Sequence, residues 1–471
     1  MLRNKSFLIF MYLFIAAGFA AGQNENQPQL RFAVISDTHI SRSVHAHEAL
    51  PKALKNLLQK KTLPDAIFIC GDLTENGWPE EYDALMTTLA DRTIVPEGIA
   101  VYLMMGNHDH RKKFYVDDAQ VLTGCNPNLR FEQMKPDERF VEKTGQPLHQ
   151  YINIKGYPFI TISMTGGDNL VASKLNPDGS KQYYIDGKFY DENAIRFLSE
   201  KMADAAQDCP GKPIFLFSHV GSINTCYGTY PQDDGGQSQF PPFLKGYPQT
   251  VFFSGHSHFP IGDPRCIHQE NYTSVNAGSA HGTSGLHYFM PAPLISQSGS
   301  TCMEGLIVNV LKNGRVEIER WDVYRNEEIL PRWQLEPPFD GNRFTYANRD
   351  GLPAPAFDVN ATVTGFVNGN DLLVRFSQAT DNEVVNHYFI EFLDESKTVF
   401  YAGNKYSFFY MNSQMPEINV IRFPLSENNG LSPCKTFQIR VTAVDSYGNR
   451  SAPIVSKWLT VPASFLREQT F

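Results

Sequence analysis

The chain has 471 residues, 42% of them apolar and 19% charged, and a formal net charge of -9. That length and apolar content suit two or three globular domains and exclude a disordered chain. The acidic balance excludes a duplex nucleic-acid footprint, which rests on clustered Lys and Arg neutralising phosphates, so any anionic ligand must be captured by local groups.

In residues 1–22, Arg3 and Lys5 precede an apolar segment over 7–17, and small residues follow, ending Ala20-Ala21-Gly22. This is the layout of a secretory signal peptide, and the segment is shorter than the ~20 residues of a membrane span. The sequence therefore predicts a mature chain starting near Gln23, secreted or periplasmic, with no membrane span after cleavage. Seven cysteines leave at least one thiol unpaired if all bridges are intramolecular. Cys70, inside the apolar run 66–70, is the expected buried free thiol.

Residues 30–36 read as a buried strand ending at Asp37-Thr38-His39. A helix with Leu50, Leu54, Leu57 and Leu58 on one face leads to a strand over 66–70 that ends at Gly71-Asp72. A second helix, with Tyr82, Leu85, Met86 and Leu89, leads to the apolar run 101–105 and then Gly106-Asn107-His108-Asp109. Asp37, Asp72 and Asn107 recur 35 residues apart, close to the length of a β-α-β unit. Equal spacing puts three polar groups at one end of adjacent parallel strands, where open α/β folds bind ligands. Residues 111–208 read as a long insertion walling the pocket, with one helix burying Ile195, Leu198 and Met202. Strands return at 213–218, ending on His219, and at 250–254, ending on Gly255-His256-Ser257-His258. Residues 272–279 and 305–310 read as further strands closing a second sheet.

From Glu336 the composition changes, and residues 337–355 form a Pro- and Gly-rich linker. Over 356–463 apolar and polar residues alternate: Leu372, Val374 and Phe376, then Tyr388, Ile390 and Phe392, then Phe437, Ile439, Val441 and Ala443. One face is buried and one wet, as in a β-sandwich. Residues 437–453 resemble the late strand and turn of fibronectin type III domains, with Phe437 where such domains often carry a hydrogen-bonding tyrosine. This domain holds no acid, base or ligand cluster, so it is expected to be dispensable for chemistry, and contact with a surface or glycan is the partner role left to it.

Eight polar groups thus stand at five strand ends: Asp37, His39, Asp72, Asn107, His108, His219, His256 and His258. Any one alone reads as a cap or a surface group. Together, carboxylate, imidazole and amide oxygen without thiolate suit Mn, Fe or Zn, with enough ligands for two ions and one carboxylate bridging. Asp109 is placed to orient the His108 ring. Arg111, Lys112 and Lys113 read as a solvated turn, and His281 as a surface histidine near the pocket.

Asp37-Thr38-His39, Gly71-Asp72, Gly106-Asn107-His108-Asp109, His219 and Gly255-His256-Ser257-His258 resemble, in order, the five motifs of the calcineurin-like metallophosphoesterases. The resemblance implies an α/β fold, a two-sheet sandwich flanked by helices, over 28–336, followed by the smaller all-β sandwich. It implies two divalent transition-metal ions, the first held by Asp37, His39, Asp72 and His258, the second by Asn107, His219 and His256, with Asp72 bridging. His108 would be the general acid and Asp109 its partner, with hydrolysis by a metal-bound hydroxide acting on a small phosphate ester. Residues 71–89 and 109–111 look most like cyclic-nucleotide and glycerophosphodiester phosphodiesterases. Purple acid phosphatases carry a tyrosine three residues after the bridging aspartate, where this chain has Glu75, so a tyrosinate-iron centre is not expected. The alternatives are a phosphomonoesterase or nucleotidase of the same fold, or a binding protein with a vestigial domain; the complete set of motifs weighs against the last.

Overall fold

The computed structural model describes residues 27–41, 44–58, 62–110, 135–165, 172–175, 181–184, 189–231, 235–281, 303–407, 417–426, 428 and 430–463. The signal peptide expected at 1–22 and the basic residues at 111–113 lie outside them. Among the described residues no helix is long and apolar enough to cross a membrane.

The chain opens as β1 (Pro28–Ile35), α1 (Val44–Leu58), β2 (Ala66–Ile69), α2 (Pro79–Ala90) and β3 (Ala100–Leu103). It continues through α3 (Pro136–Thr144), β4 (His149–Ile154), β5 (Tyr157–Ile162), a hairpin of β6 (Ala172–Leu175) with β7 (Lys181–Tyr184), and α4 (Glu192–Asp208). Then come β8 (Ile214–Ser218), α5 (Pro241–Leu244), β9 (Thr250–Ser254), β10 (Ile267–Gln269) and β11 (Thr273–Asn276). β12 (Glu304–Leu311), β13 (Val316–Asp322) and β14 (Glu327–Leu335) follow. One sheet has the order β14-β13-β12-β1-β2-β3 and the other β10-β11-β9-β8-β5-β4. In the first, β1, β2 and β3 run parallel to one edge and β12, β13 and β14 pair antiparallel toward the other; in the second, the central strands run parallel and the two edge strands antiparallel.

The two sheets face each other, and the period of two along each strand sorts side chains between layers. On β1, Phe32 and Val34 enter the core between the sheets, while Ala33 and Ile35 pack with α1 and α2. On β8, Phe215 and Phe217 face the other sheet and Ile214 and Leu216 face α4. Burial on both faces explains why these strands read as unbroken apolar runs. Between the sheets Phe68 stacks on Phe217 at 4.1 Å, and Phe32 meets Phe215 edge-on at 4.8 Å. Each such ring buries roughly 1.5–3 kcal/mol of hydrophobic free energy.

The topology departs from the sequence reading twice. Residues 111–208 are more than an insertion with a helix, because β5 lies in the second sheet between β4 and β8. The strand at 305–310 belongs to the first sheet, where β12 pairs antiparallel with β1 through Ala33 and Ile307, and does not help close the second. Apolar runs report burial on two faces and say nothing of which strand lies alongside.

The C-terminal strands are β15 (Val363–Asn368), β16 (Asp371–Ser377), β17 (Val385–Leu393), β18 (Val399–Tyr406), β19 (Ile418–Pro424), β20 (Thr436–Asp445), β21 (Ile454–Val455) and β22 (Leu459–Thr460). β15-β16-β19 form one sheet and β18-β17-β20-β21 the other, with β22 also on β20. Leu372, Val374, Phe376, Tyr388, Ile390, Phe392, Ile439 and Val441 share their common core, as the alternation requires. The segment before them lies against the first domain: Phe339 and Tyr346 pack on the intersheet core, and Tyr346 exchanges hydrogen bonds with Gln269.

Glu304, fully buried at the start of β12, accepts the Ile261 N–H on Oε2, and among the described residues nothing bonds Oε1. Burial pushes its carboxyl up to about 8, reinforced by Asp322. The folded state therefore holds a proton that the unfolded chain releases above its ordinary carboxyl range, so stability falls as pH rises toward 8 and is flat beyond. Glu304→Gln should remove this slope: its melting temperature should match the wild type near pH 4 and exceed it at pH 8, as thermal unfolding at both pH values will show.

Candidate metal centre

The carboxyl ends of β1, β2, β3, β8 and β9 converge on one edge of the two sheets, and backbone bonds there continue the ladders into the loops. The Asp37 N–H donates to Gly71 O and the His39 N–H to Asp72 O, both at 3.0 Å, and Gly255 N–H donates to His219 O at 2.9 Å. Ala280 and His281 donate to Ser36 O and Asp37 O, joining the sheets across this edge. Asp37, His39, Asp72, His256 and His258 all have positive φ, between 43° and 72°. For residues with a Cβ this left-handed backbone costs about 1–3 kcal/mol each and persists only where the surroundings enforce it. At Gly255 a Cβ would overlap Ser36 Oγ and Asp37 Oδ2, so only glycine lets this loop close on the aspartate.

Seven of the eight strand-end residues meet in two groups that share Asp72, and His108 lies beside them. In the first, His258 Nε2 lies 3.0 Å from Asp37 Oδ1 and 3.0 Å from His39 Nε2, and His39 Nε2 lies 3.7 Å from Asp72 Oδ2. One donor atom from each of Asp37, His39, Asp72 and His258 falls within 4.8 Å of the others. In the second, Asn107 Oδ1 is 3.0 Å from His219 Nε2 and 2.9 Å from His256 Nδ1, and His219 Nε2 is 3.3 Å from Asp72 Oδ2.

These atoms are acceptors pointed at acceptors. His39 Nδ1 faces the Glu75 carboxylate at 2.8 Å and His219 Nδ1 faces Cys70 O at 2.7 Å, which assigns each ring proton to Nδ1 and leaves an Nε2 lone pair toward the cluster. A buried set of lone pairs and carboxylates requires a cation, and oxygen plus imidazole suits divalent transition metals. Without one, protons take that place. Burial opposes protonation of His219, yet the Asp72 carboxylate lifts it to about 9; burial also opposes ionisation of Asp37, which His258 brings down to about 2. His256, buried beside His219, is pushed down to about 3.

The structure separates His108 from the partner expected for it. His108 to His110 form one 3-10 turn, in which successive side chains diverge by about a third of a turn. Asp109 consequently points inward, buried, and accepts from Gly106, Leu73 and Thr74 N–H groups, Thr74 Oγ1 at 2.7 Å and Tyr82 OH at 3.2 Å. It ties the second and third motif loops together and does not orient His108. Burial, aided by Asp72, pushes its carboxyl up to about 6. The His108 ring instead sets Nδ1 3.2 Å from Glu75 O and 3.3 Å from Glu75 Oε2, with Nε2 3.9 Å from Asp72 Oδ2. Glu75 therefore touches both His39 and His108, a role the sequence reading missed. Its signal was an acidic residue three positions past Asp72, weighed only as a missing tyrosine. His281 also reaches the edge of the site, its ring 5.5 Å from that of His39.

A family model described as calcineurin-like phosphoesterase matches residues 30–260, the stretch that carries every one of these groups. Residues 30–260 form a calcineurin-like phosphoesterase domain. The chain is 36% identical over 95 residues to a cAMP/cGMP dual-specificity phosphodiesterase of Mycobacterium tuberculosis, covering 18% of this chain and 30% of that one. It is 32% identical over 83 residues to an Arcobacter nitrofigilis protein bearing the name "Probable glycerophosphodiester phosphodiesterase", covering 16% of this chain and 29% of that one. Over 233 residues it is 23% identical to a Rhodococcus erythropolis "Probable cyclic nucleotide phosphodiesterase", covering 48% of this chain and 64% of that one. The matches thus span less than two thirds of each relative.

If Asp109 is a structural tie, Asp109→Ala should lower the unfolding free energy by on the order of 3 kcal/mol, since it strands buried donors from two loops. Glu75→Gln should cost less than about 1 kcal/mol, its carboxylate being partly exposed. Urea unfolding of the two variants side by side reads the difference.

Proposed function

We propose that this phosphoesterase domain hydrolyses phosphodiesters at two divalent transition-metal ions, Mn, Fe or Zn, in an exported protein. The observation that carries the reading is Asp72 Oδ2, set between His39 Nε2 at 3.7 Å and His219 Nε2 at 3.3 Å, where one carboxylate serves two donor groups. Asp37, His39, Asp72 and His258 would hold the first ion and Asp72, Asn107, His219 and His256 the second. When bound, such ions neutralise charge on the phosphoryl oxygens and acidify coordinated water. The names of the relatives favour a diester over a monoester, and export is supported by the composition of residues 1–22.

The chain's own residues supply the rest. Asp72 Oδ1 accepts from the His108 N–H at 2.7 Å, so the proposed bridge also fixes the start of the turn that carries His108. With Nδ1 held at Glu75, His108 turns Nε2 toward the cluster and donates its Nε2 proton to the leaving alkoxide, ending neutral with the proton on Nδ1. Glu75 is a positioning residue, joining a metal ligand to the acid.

Wild-type protein should carry divalent metal by elemental analysis and turn over bis(p-nitrophenyl) phosphate faster than p-nitrophenyl phosphate. Absence of bound metal sinks the reading, and a preference for the monoester moves it to a phosphomonoesterase. His108→Ala should keep both metals yet lower turnover of a diester with an alkoxide leaving group by ~10²-fold or more, with a much smaller effect on a p-nitrophenolate leaving group. His256→Ala and Asp72→Asn should instead lose metal, Asp72→Asn more severely because dication repulsion is then unshielded. Equal slowing of both substrates by His108→Ala would remove the general-acid role.

A further inference from the structure

The loop presenting His256 and His258 is gripped from outside the catalytic sheets. Past His258 the chain stays buried at Phe259, Ile261, Asp263 and Cys266. Asp263 Oδ1 accepts from the Arg265 N–H and Nε, both at 2.9 Å, and Oδ2 accepts from Arg265 Nη2 at 2.7 Å. The same Oδ2 accepts from Asn386 Nδ2 at 3.1 Å and Ser446 Oγ at 3.2 Å. Asn386 lies on β17 and Ser446 follows β20, so both donors belong to the C-terminal sandwich. Arg349 closes the seam: Nη2 donates to Pro264 O and Ile267 O at 2.6 Å each, and Nη1 pairs with Glu383 at 3.0 Å.

From this seam contacts run back to the ligands. The Arg265 guanidinium sits 3.6 Å from the Tyr227 ring centre, and the Tyr227 ring lies 4.0 Å from that of Phe259, the residue after His258. Arg265 O also accepts from the Tyr227 N–H at 3.0 Å, so ring and backbone move together. Since His256 and His258 both keep a left-handed backbone, something must hold the loop against relaxation. A fully buried carboxylate shared among donors from two domains is suited to that, because leaving any of those donors strands a charge away from water.

We propose that the C-terminal sandwich is a positioning element of the metal centre, acting through Asn386, Ser446 and Asp263 on the loop that presents His256 and His258. The inference rests on the reading of the cluster as a metal site. It replaces the expectation that the sandwich is dispensable for chemistry. Asn386, Ser446 and Asp263 touch neither a ligand atom nor the cluster; they set where the loop stands.

The test uses the full chain, stripped of metal, titrated with Mn²⁺ by calorimetry and assayed with bis(p-nitrophenyl) phosphate. Asn386→Ala/Ser446→Ala should keep a cooperative unfolding transition while weakening Mn²⁺ binding on the order of tenfold, the lower end of what outer supports of metal ligands contribute. Turnover should fall at limiting Mn²⁺ and recover with excess, and Ser446→Thr, which retains the hydroxyl, should stay within about twofold of wild type. Arg440→Ala is the control: it breaks the Glu391 ion pair five residues along β17 from Asn386 and should leave Mn²⁺ affinity unchanged. Should the double variant misfold, Asp263→Asn is read the same way. Unchanged affinity and turnover in the variants beside a Mn²⁺-binding wild type overturns the inference, as does equal weakening by Arg440→Ala. A wild type that binds no Mn²⁺ overturns the metal reading itself.

Discussion

Two aspartates, Asp37 and Asp72, are ionised out of reach of water, and the domain is organised around keeping them so. Burial alone would drive both carboxyls neutral, because an unpaired charge in a low-dielectric interior is costly. Imidazoles ring them, but His39 and His219 commit their Nδ1 protons elsewhere, to Glu75 and to Cys70 O. The remaining deficit is positive charge at the centre of the cluster. The pair of divalent cations proposed for this cluster would supply it in one stroke, and titratable histidines supply it only in part.

That constraint explains the shape of the surrounding chain. Five residues of the cluster hold left-handed backbones, which at about 1–3 kcal/mol each is a load that only a rigid frame sustains. The frame is the phenylalanine layer between the sheets, where each buried ring contributes free energy of the same order. Close-packed rings have little room to shift, so strands β1, β2, β8 and β9 present their ends at fixed separations. Glycine does the complementary job: at Gly255 the absent Cβ is the space that Ser36 and Asp37 occupy.

Legibility in the sequence followed the physics of each feature. Strands buried on both faces announce themselves as apolar runs, and polar groups at their carboxyl ends are fixed by chain direction, so the eight strand-end residues were readable: seven share the two groups around Asp72 and His108 stands beside them. Asp109 was misread because adjacency in sequence implies shared direction only in extended chain, and His108 to His110 wind into a turn. Glu75 was missed for the converse reason: it reaches His39 and His108 through space, 36 and 33 positions away. Pairing partners were equally hidden, since nothing in the apolar run at 305–310 distinguishes a place beside β1 from one in the second sheet.

The sandwich shows the same limit at the scale of domains. Its alternating strands disclosed a wet face and a dry face, and the absence of acid or ligand clusters suggested a bystander. Chemistry-bearing side chains are not the only route to influence over a site, however. Asn386 and Ser446 are neutral donors of the commonest kind, invisible to any motif, and they matter because a buried carboxylate, Asp263, lies opposite. Arg265, saturated by that carboxylate, is then free to lie on Tyr227 rather than reach for solvent, and Tyr227 braces the residue next to His258. Position within an electrostatic chain, not residue type, is what gives such groups leverage over His258.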